Sequence, residues 1–289
     1  MRQRGINPAA VRGTGPGGRI VEADVLRAAI LPNRAAAAGA IATGGSLSPM
    51  RRAVAAKVAE SFATVPHFYL RSEADVTALM QLRAQTIEAI EKCCGQRPSL
   101  TDFLLRAMVL ALCDCRHANR IWQRDTIVEL PSVDVGLVVQ VDDGLMVPII
   151  HHADRLSLID LVCQRAAAIA ALRSGKTSAE LFQGAATSLT NLGKHRVDEF
   201  APIISPPQSS MLAVGRVAER PAAFEGRLCL RHTMHLTLSV DHRVMDGVPA
   251  AEFLDRIVEL LEKPFLLLCD TTPLPTYEVS HDSLSTHER

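Results

Sequence analysis

The stretch His235-Leu236-Thr237-Leu238-Ser239-Val240-Asp241-His242-Arg243-Val244-Met245-Asp246-Gly247 decides how this chain is read. Apolar residues alternate up to Val240, as on a strand with one buried side. The strand ends by delivering a histidine, and a carboxylate follows four positions later. Gly247 and Pro249 then turn the chain into the next helix. A loop histidine at a strand end with an aspartate behind it suits general-base chemistry, since imidazole titrates near neutrality. The competing reading is an ordinary surface histidine. His242 and Asp246 are the first candidate site residues.

Outward from this point, helix and strand signals alternate. Residues 49–62 carry helical spacing at Val54, Val58 and Phe62, with Ser48 as N-cap. Residues 67–74 alternate like a strand, 75–92 read as a helix, and 100–115 as a more buried one capped by Ser99 or Thr101. Strand signals follow at 133–141, 187–192, 211–217 and 235–240, and helical ones at 156–173 and 250–263. Mixed elements with short connections predict an α/β fold, a mixed sheet with helices, over residues 48–268.

The first 34 residues hold six arginines against Glu22 and Asp24. They contain the glycine-dense loop Gly13-Thr14-Gly15-Pro16-Gly17-Gly18, followed by a short helical signal at 22–30. Residues 1–31 thus read as a small separate module and 32–47, rich in Ala, Gly and Ser, as a linker. Residues 269–289 read as a polar, acidic tail. Gly13-x-Gly15-x-x-Gly18 lacks the preceding hydrophobic strand that a dinucleotide fingerprint needs. Gly175-Lys176-Thr177 lacks the earlier glycine of a phosphate-binding loop, Ala170 standing there. Cys113-Asp114-Cys115-x-His117 has poor metal spacing and reads as core cysteine, so no metal site is expected. His151-His152 follow a strand signal and read as residues at the mouth of a cleft.

Composition narrows the function further. Lys plus Arg (31) equals Asp plus Glu (31), and only 4% of residues are aromatic, which argues against nucleic acid as a partner. No apolar run reaches the length of a membrane span, and no signal segment follows Met1. Seven cysteines without framework spacing predict reduced thiols and a cytoplasmic setting.

The string Asp241-His242-Arg243-x-x-Asp246-Gly247 resembles the motif of the acyltransferases of 2-oxo acid dehydrogenase complexes. Val65-Pro66-His67-Phe68-Tyr69-Leu70 is similar to the family's first core strand, and Gly144-Leu145-Met146-Val147-Pro148 to its Gly-Leu-x-x-Pro strand. Phe182-Gln183-Gly184 through Thr190-Asn191-Leu192-Gly193, then Pro206-Pro207-Gln208 and Leu212-Ala213-Val214-Gly215, correspond in the same order. The glycine-dense N-terminal loop, with Glu22-x-Asp24-Val25, resembles the family's peripheral subunit-binding domain, truncated at its first helix and without the lipoyl domain that precedes it.

This resemblance implies a chloramphenicol-acetyltransferase-like fold and acyl transfer between dihydrolipoyl and coenzyme A, acetyl before branched-chain or succinyl. It assigns His242 as general base, Thr190 as oxyanion donor and Asp246 as holding the loop through an ion pair. It implies a homotrimer, with base and hydroxyl from adjoining subunits, and possible growth into a cubic or dodecahedral core. The lipoyl group would come from another chain, and Arg2 and Arg19 would contact dehydrogenase components. Residues 50–70 and the strand before His242 are the expected subunit contacts. Two other readings stay open: a stand-alone acetyltransferase of the same fold, and a non-catalytic assembly protein of the complex. An assay with dihydrolipoamide and acetyl-coenzyme A separates these classes.

Overall fold

The computed structural model describes residues 13–22, 24, 46–142, 144–175 and 178–269. Arg2, most of the 32–47 linker and all of the 269–289 tail beyond Cys269 lie outside the described residues. The chain divides into two compact units at the Leu47–Ser48 junction. In the smaller unit the glycine-dense loop closes on the buried Asp24 carboxylate. That carboxylate accepts from Thr14 N (2.9 Å), Thr14 Oγ1 (2.8 Å) and Val21 N (3.0 Å). Gly17 and Gly18 have φ of 71° and 79°, a left-handed turn that a side chain would strain. Arg19 is exposed on this loop.

The larger unit begins with helix α1 (Pro49–Thr64), capped by the Ser48 hydroxyl, which accepts from Arg51 N. Strand β1 (His67–Asp75), α2 (Thr77–Cys94) and α3 (Leu100–Asp114) follow. Next come β2 (Arg120–Gln123), β3 (Thr126–Glu129), β4 (Val135–Leu137), β5 (Val139–Val141), β6 (Gly144–Met146) and β7 (Ile149–Ile150). The chain continues through α4 (Leu158–Arg173), β8 (Thr187–Asn191), β9 (Ser210–Val214), β10 (Ala218–Phe224), β11 (Arg227–Asp241) and α5 (Gly247–Glu262). The main sheet runs β1-β11-β9-β8-β4-β7, with β10 also pairing β11. β8 lies parallel to both β4 and β9, and the other pairings are antiparallel, so the sheet is mixed as the sequence predicts.

One face of this sheet and helices α2, α3, α4 and α5 enclose the main core. Helix α3 is buried almost all round, and its Arg106 is buried with it. A guanidinium cannot be buried without acceptors. Arg106 donates to the carbonyls of Leu156 (2.7 Å), Leu267 (3.3 Å) and Cys269 (2.5 Å). The start of α3 is fixed by a capping box between Ser99 and Asp102, and Asp102 also takes Arg165 from α4. On the sheet's other face Val65, Ile204 and Met211 form a smaller apolar cluster. The apolar stripe of α1 is not buried in this chain: Val58 and Phe62 are exposed, and Ser61 alone is buried on that helix. No helix among the described residues is long and apolar enough to cross a membrane.

Several boundaries differ from the sequence expectation. Asp75 closes β1 instead of opening a helix, because its carboxylate takes Arg231 Nε (2.6 Å) and Thr77 N (3.0 Å). The 133–141 strand is two strands broken at Val138, whose N–H turns to Leu189 O (2.9 Å). The 235–240 strand is the last part of a fifteen-residue one, and the helix after it starts at Gly247. The end of β11 is hydrogen-bonded to β1 on one side and β9 on the other, and is buried from Leu236 to Asp241. It is therefore interior, and cannot be the subunit contact the sequence suggested.

Burial alone would push the Asp75 carboxyl up, but hydrogen bonds from Thr77 and Arg231 outweigh it and hold the group below its usual range. A depressed carboxyl stabilises the fold above its unfolded pKa of about 4 and loses that contribution as pH falls. Urea midpoints should accordingly drop for the wild type between about pH 5 and pH 3. Asp75→Asn should start lower at pH 7 and fall less over the same interval; parallel curves would rule the effect out.

Candidate active site

The turn that follows β11 is built around Asp241. Its backbone N–H bonds to Ser209 O (2.8 Å), and its carbonyl accepts from Val244 N (2.9 Å) and Met245 N (3.2 Å). Its side chain is 1% exposed and grips Arg243, through Oδ1 to Nε (3.0 Å) and Oδ2 to NH2 (2.7 Å). Arg243 N also donates to Oδ1 (3.0 Å). The guanidinium lies over the Trp122 ring of β2, 4.8 Å from its centroid. Paired hydrogen bonds and a stacked face make use of the planarity of arginine.

With both neighbours turned inward, His242 is left facing out. Its backbone N–H bonds to Pro66 O (3.1 Å), and its ring sits 4.6 Å from the Phe68 ring of β1. The imidazole side chain is 53% exposed and its Nδ1 lies 3.6 Å from Asp246 Oδ1. That is an electrostatic approach, longer than a formed hydrogen bond. Asp246 stands at the N-cap of α5 but makes no side-chain cap bond, and it is 84% exposed. The buried ion pair in this loop is Asp241–Arg243, while Asp246 makes the 3.6 Å approach to His242.

Thr190 is half-buried on β8. It stands opposite Ala213, which stands opposite Thr237, five positions before His242. Strand geometry thus separates Thr190 from His242 by roughly 16 Å along the sheet and about 10 Å across it. One chain brings His242 and Asp246 together and leaves Thr190 apart. Beneath Thr190, the buried Ser188 hydroxyl donates to Gln208 Oε1 (2.7 Å). A Cβ on Gly136 of β4 would come within 2.0 Å of that hydroxyl, so the glycine is required there.

Sequence reasoning missed Asp241, Arg243, Trp122 and Phe68 as the frame of the histidine. An aspartate ending an apolar strand, followed by an arginine two positions on, was the available signal for the first two. His151, partly exposed after β7, has its Nδ1 2.9 Å from Asp134 Oδ2 and its Nε2 3.3 Å from Glu180 O, so its ring bridges to the 179–182 turn.

Comparison with known proteins agrees with this architecture. Residues 42–269 match the model for 2-oxoacid dehydrogenases acyltransferase (catalytic domain), and residues 1–26 that for the e3 binding domain. The chain belongs to the 2-oxoacid dehydrogenase acyltransferase family. It is 35% identical over 268 residues to the dihydrolipoyllysine-residue acetyltransferase component of the acetoin cleaving system of Bacillus subtilis, covering 91% of this chain and 67% of that one. It is 33% identical over 270 residues to the corresponding component of the pyruvate dehydrogenase complex of Rickettsia conorii, covering 92% and 66%. The chain thus spans about two thirds of these relatives' length. Among solved structures, dihydrolipoamide acetyltransferase of Azotobacter vinelandii aligns with a TM-score of 0.76 and 29% identity, over 83% of this chain and 99% of that one. That work concerned a serine, a histidine and an asparagine in its catalytic mechanism.

Arg243→Met should strand the buried Asp241 carboxylate and cost about 3 kcal/mol in chemical denaturation. Adding Asp241→Asn should recover part of that loss. A single variant as stable as the wild type would mean that the pair does not hold the turn.

Proposed function

We propose that the chain moves an acyl group, acetyl first, between a dihydrolipoyl thiol and coenzyme A, with His242 as general base. The observation that carries this reading is the outward-facing His242 imidazole, on a rigid strand end with Nδ1 toward Asp246, inside an acyltransferase catalytic domain. A proton on Nδ1, facing the carboxylate, leaves Nε2 to take the proton of an incoming thiol. Thiols react as thiolates and ionise above neutral pH, so a base at this point raises the reactive fraction. Asp246 faces the ring nitrogen that keeps its proton throughout. Thr190 is the donor to the oxyanion of the tetrahedral intermediate, a role that its hydroxyl can fill.

Thr190, His242 and Asp246 are spaced along this chain as the serine, histidine and asparagine of the Azotobacter enzyme are along theirs. This supports the pairing of roles, with threonine keeping the hydroxyl and aspartate adding a charge. Because Thr190 and His242 lie far apart in one chain, the complete site is composite, with the two residues meeting between copies of a homotrimer. The exposed Val58 and Phe62 of α1 are apolar surface suited to such a contact. Residues 1–26 act as the docking segment for a dehydrogenase component, with Arg19 among its contacts.

His242→Ala should lower acetyl transfer from acetyl-coenzyme A to dihydrolipoamide at least about a hundredfold. Its melting temperature should not change, because the side chain is exposed. Near-wild-type turnover in a correctly assembled variant would remove the assignment.

The composite site is tested by mixing. His242→Ala and Thr190→Ala proteins, each inactive, are dissociated and reassembled together in equal amounts. Random cyclic trimers give about a quarter of the boundaries both wild-type residues, so about a quarter of the activity should return. Mixed trimers, verified by mass, that stay inactive would mean that one chain supplies both residues.

A further inference from the structure

Strand β8 carries Thr190 and then runs into a turn over residues 193–196. Asn191 shapes that turn: its Oδ1 accepts from Gly193 N (2.7 Å), and its Nδ2 donates to Thr101 Oγ1 (3.3 Å). His195 N closes it on Leu192 O (2.9 Å). The turn lies directly against the chain leaving β9. A Cβ on Gly193 would come within 3.0 Å of Gly215 O, and Arg216 N donates to Val197 O (2.8 Å). Lys194, His195 and Arg196 are all exposed on this turn. Among the described residues, neither Lys194 nor Arg196 has an ion pair or a side-chain hydrogen bond. The carboxylates close by are already committed. Asp198 accepts from Arg216 Nε (2.7 Å) and Arg220 NH2 (2.5 Å), which holds its carboxyl below the usual range, and Glu199 faces Arg71 at 3.8 Å. Two guanidiniums share the Asp198 carboxylate, so this corner is net positive even before Lys194 and Arg196 are added. Uncompensated cations this close repel one another, and an anion that reaches both relieves the repulsion.

We infer that Lys194 and Arg196 bind the phosphate groups of coenzyme A, on the chain that supplies Thr190 to the composite site. This rests on the acyl transfer proposed above and adds the residues that tell an acyl-coenzyme A from a shorter acyl thioester. Arg196 stands six positions after Thr190, which limits their separation to about 22 Å of extended chain. A coenzyme A thiol beside Thr190 trails a pantetheine arm of comparable reach, with a pyrophosphate and a 3′-phosphate at its far end. The guanidinium fork of Arg196 suits two phosphate oxygens at once, and Lys194 adds a point charge. Both cations touch groups remote from the reacting sulfur. They therefore strengthen binding of the donor in ground state and transition state alike, and take no part in the chemical step.

Two acyl donors test this in the full chain: acetyl-coenzyme A, and S-acetylpantetheine, which has the thioester and no phosphate. Transfer from each to dihydrolipoamide is measured for the wild type and for the double variant Lys194→Gln with Arg196→Gln. The wild type should prefer acetyl-coenzyme A in kcat/KM, and that preference should fall about tenfold in the double variant. Lys194→Arg with Arg196→Lys keeps both charges and should keep most of the preference. In calorimetry, adenosine 3′,5′-bisphosphate should bind the double variant about tenfold more weakly than the wild type, and the difference should shrink at high salt. The inference is overturned if the double variant keeps the wild-type donor preference, if it keeps the wild-type nucleotide affinity, or if the charge-preserving variant loses as much. A wild type that takes acetyl from neither donor would end the acyl-transfer reading instead, and the nucleotide titration alone would then uphold or overturn the phosphate site.

Discussion

A carboxylate buried at the end of a central strand must find a cation, and the strand before His242 ends in such a group. Asp241 sits at the last paired position of β11, and the nearest cation in sequence, Arg243, folds back to it and is sandwiched against Trp122. The pair constrains everything around it. Residues 241 and 243 point inward, so 242 points out. The carbonyl of Asp241 is used by Val244 and Met245, so the turn closes at once and α5 begins at Gly247 with Asp246 at its cap. The direction of one imidazole therefore follows from the cost of leaving one buried charge alone.

The same logic spreads through the sheet. β11 is paired on both sides and its final residues are buried, so the histidine follows a strand held from both edges. Thr190 rides on β8, two strands away, at the opposite end of the pairing. A sheet this rigid cannot bend to bring the two together. Within one chain the two residues are therefore held apart by the sheet itself.

Much of this was legible in the sequence where apolar periodicity was strong. The alternation before His242, the helical spacing of α3 and α5, and the order of the motifs carried the fold and the family. What stayed hidden has identifiable physical causes. The hairpins β2–β3 and β10–β11 turn through Arg124-Asp125 and Glu225-Gly226, with positive φ at Arg124, Asp125, Glu225 and Gly226. Asparagine-glycine, the usual marker of such turns, is absent from both. Asp75 looks like the start of a helix until Arg231, far along the chain, claims its carboxylate. Long-range ion pairs and left-handed turns on ordinary residues leave no trace in local periodicity.

Arg106 carries a consequence for how the polypeptide acquires its structure during synthesis. It lies inside α3, an early helix, yet two of the carbonyls it grips belong to Leu267 and Cys269. On the ribosome α3 is made more than 150 residues before those acceptors emerge. Until then two of the carbonyl acceptors that it has in the folded domain are missing. The last turn of the domain is thus a keystone: the set of carbonyls around Arg106 is complete only when this part of the chain is in place.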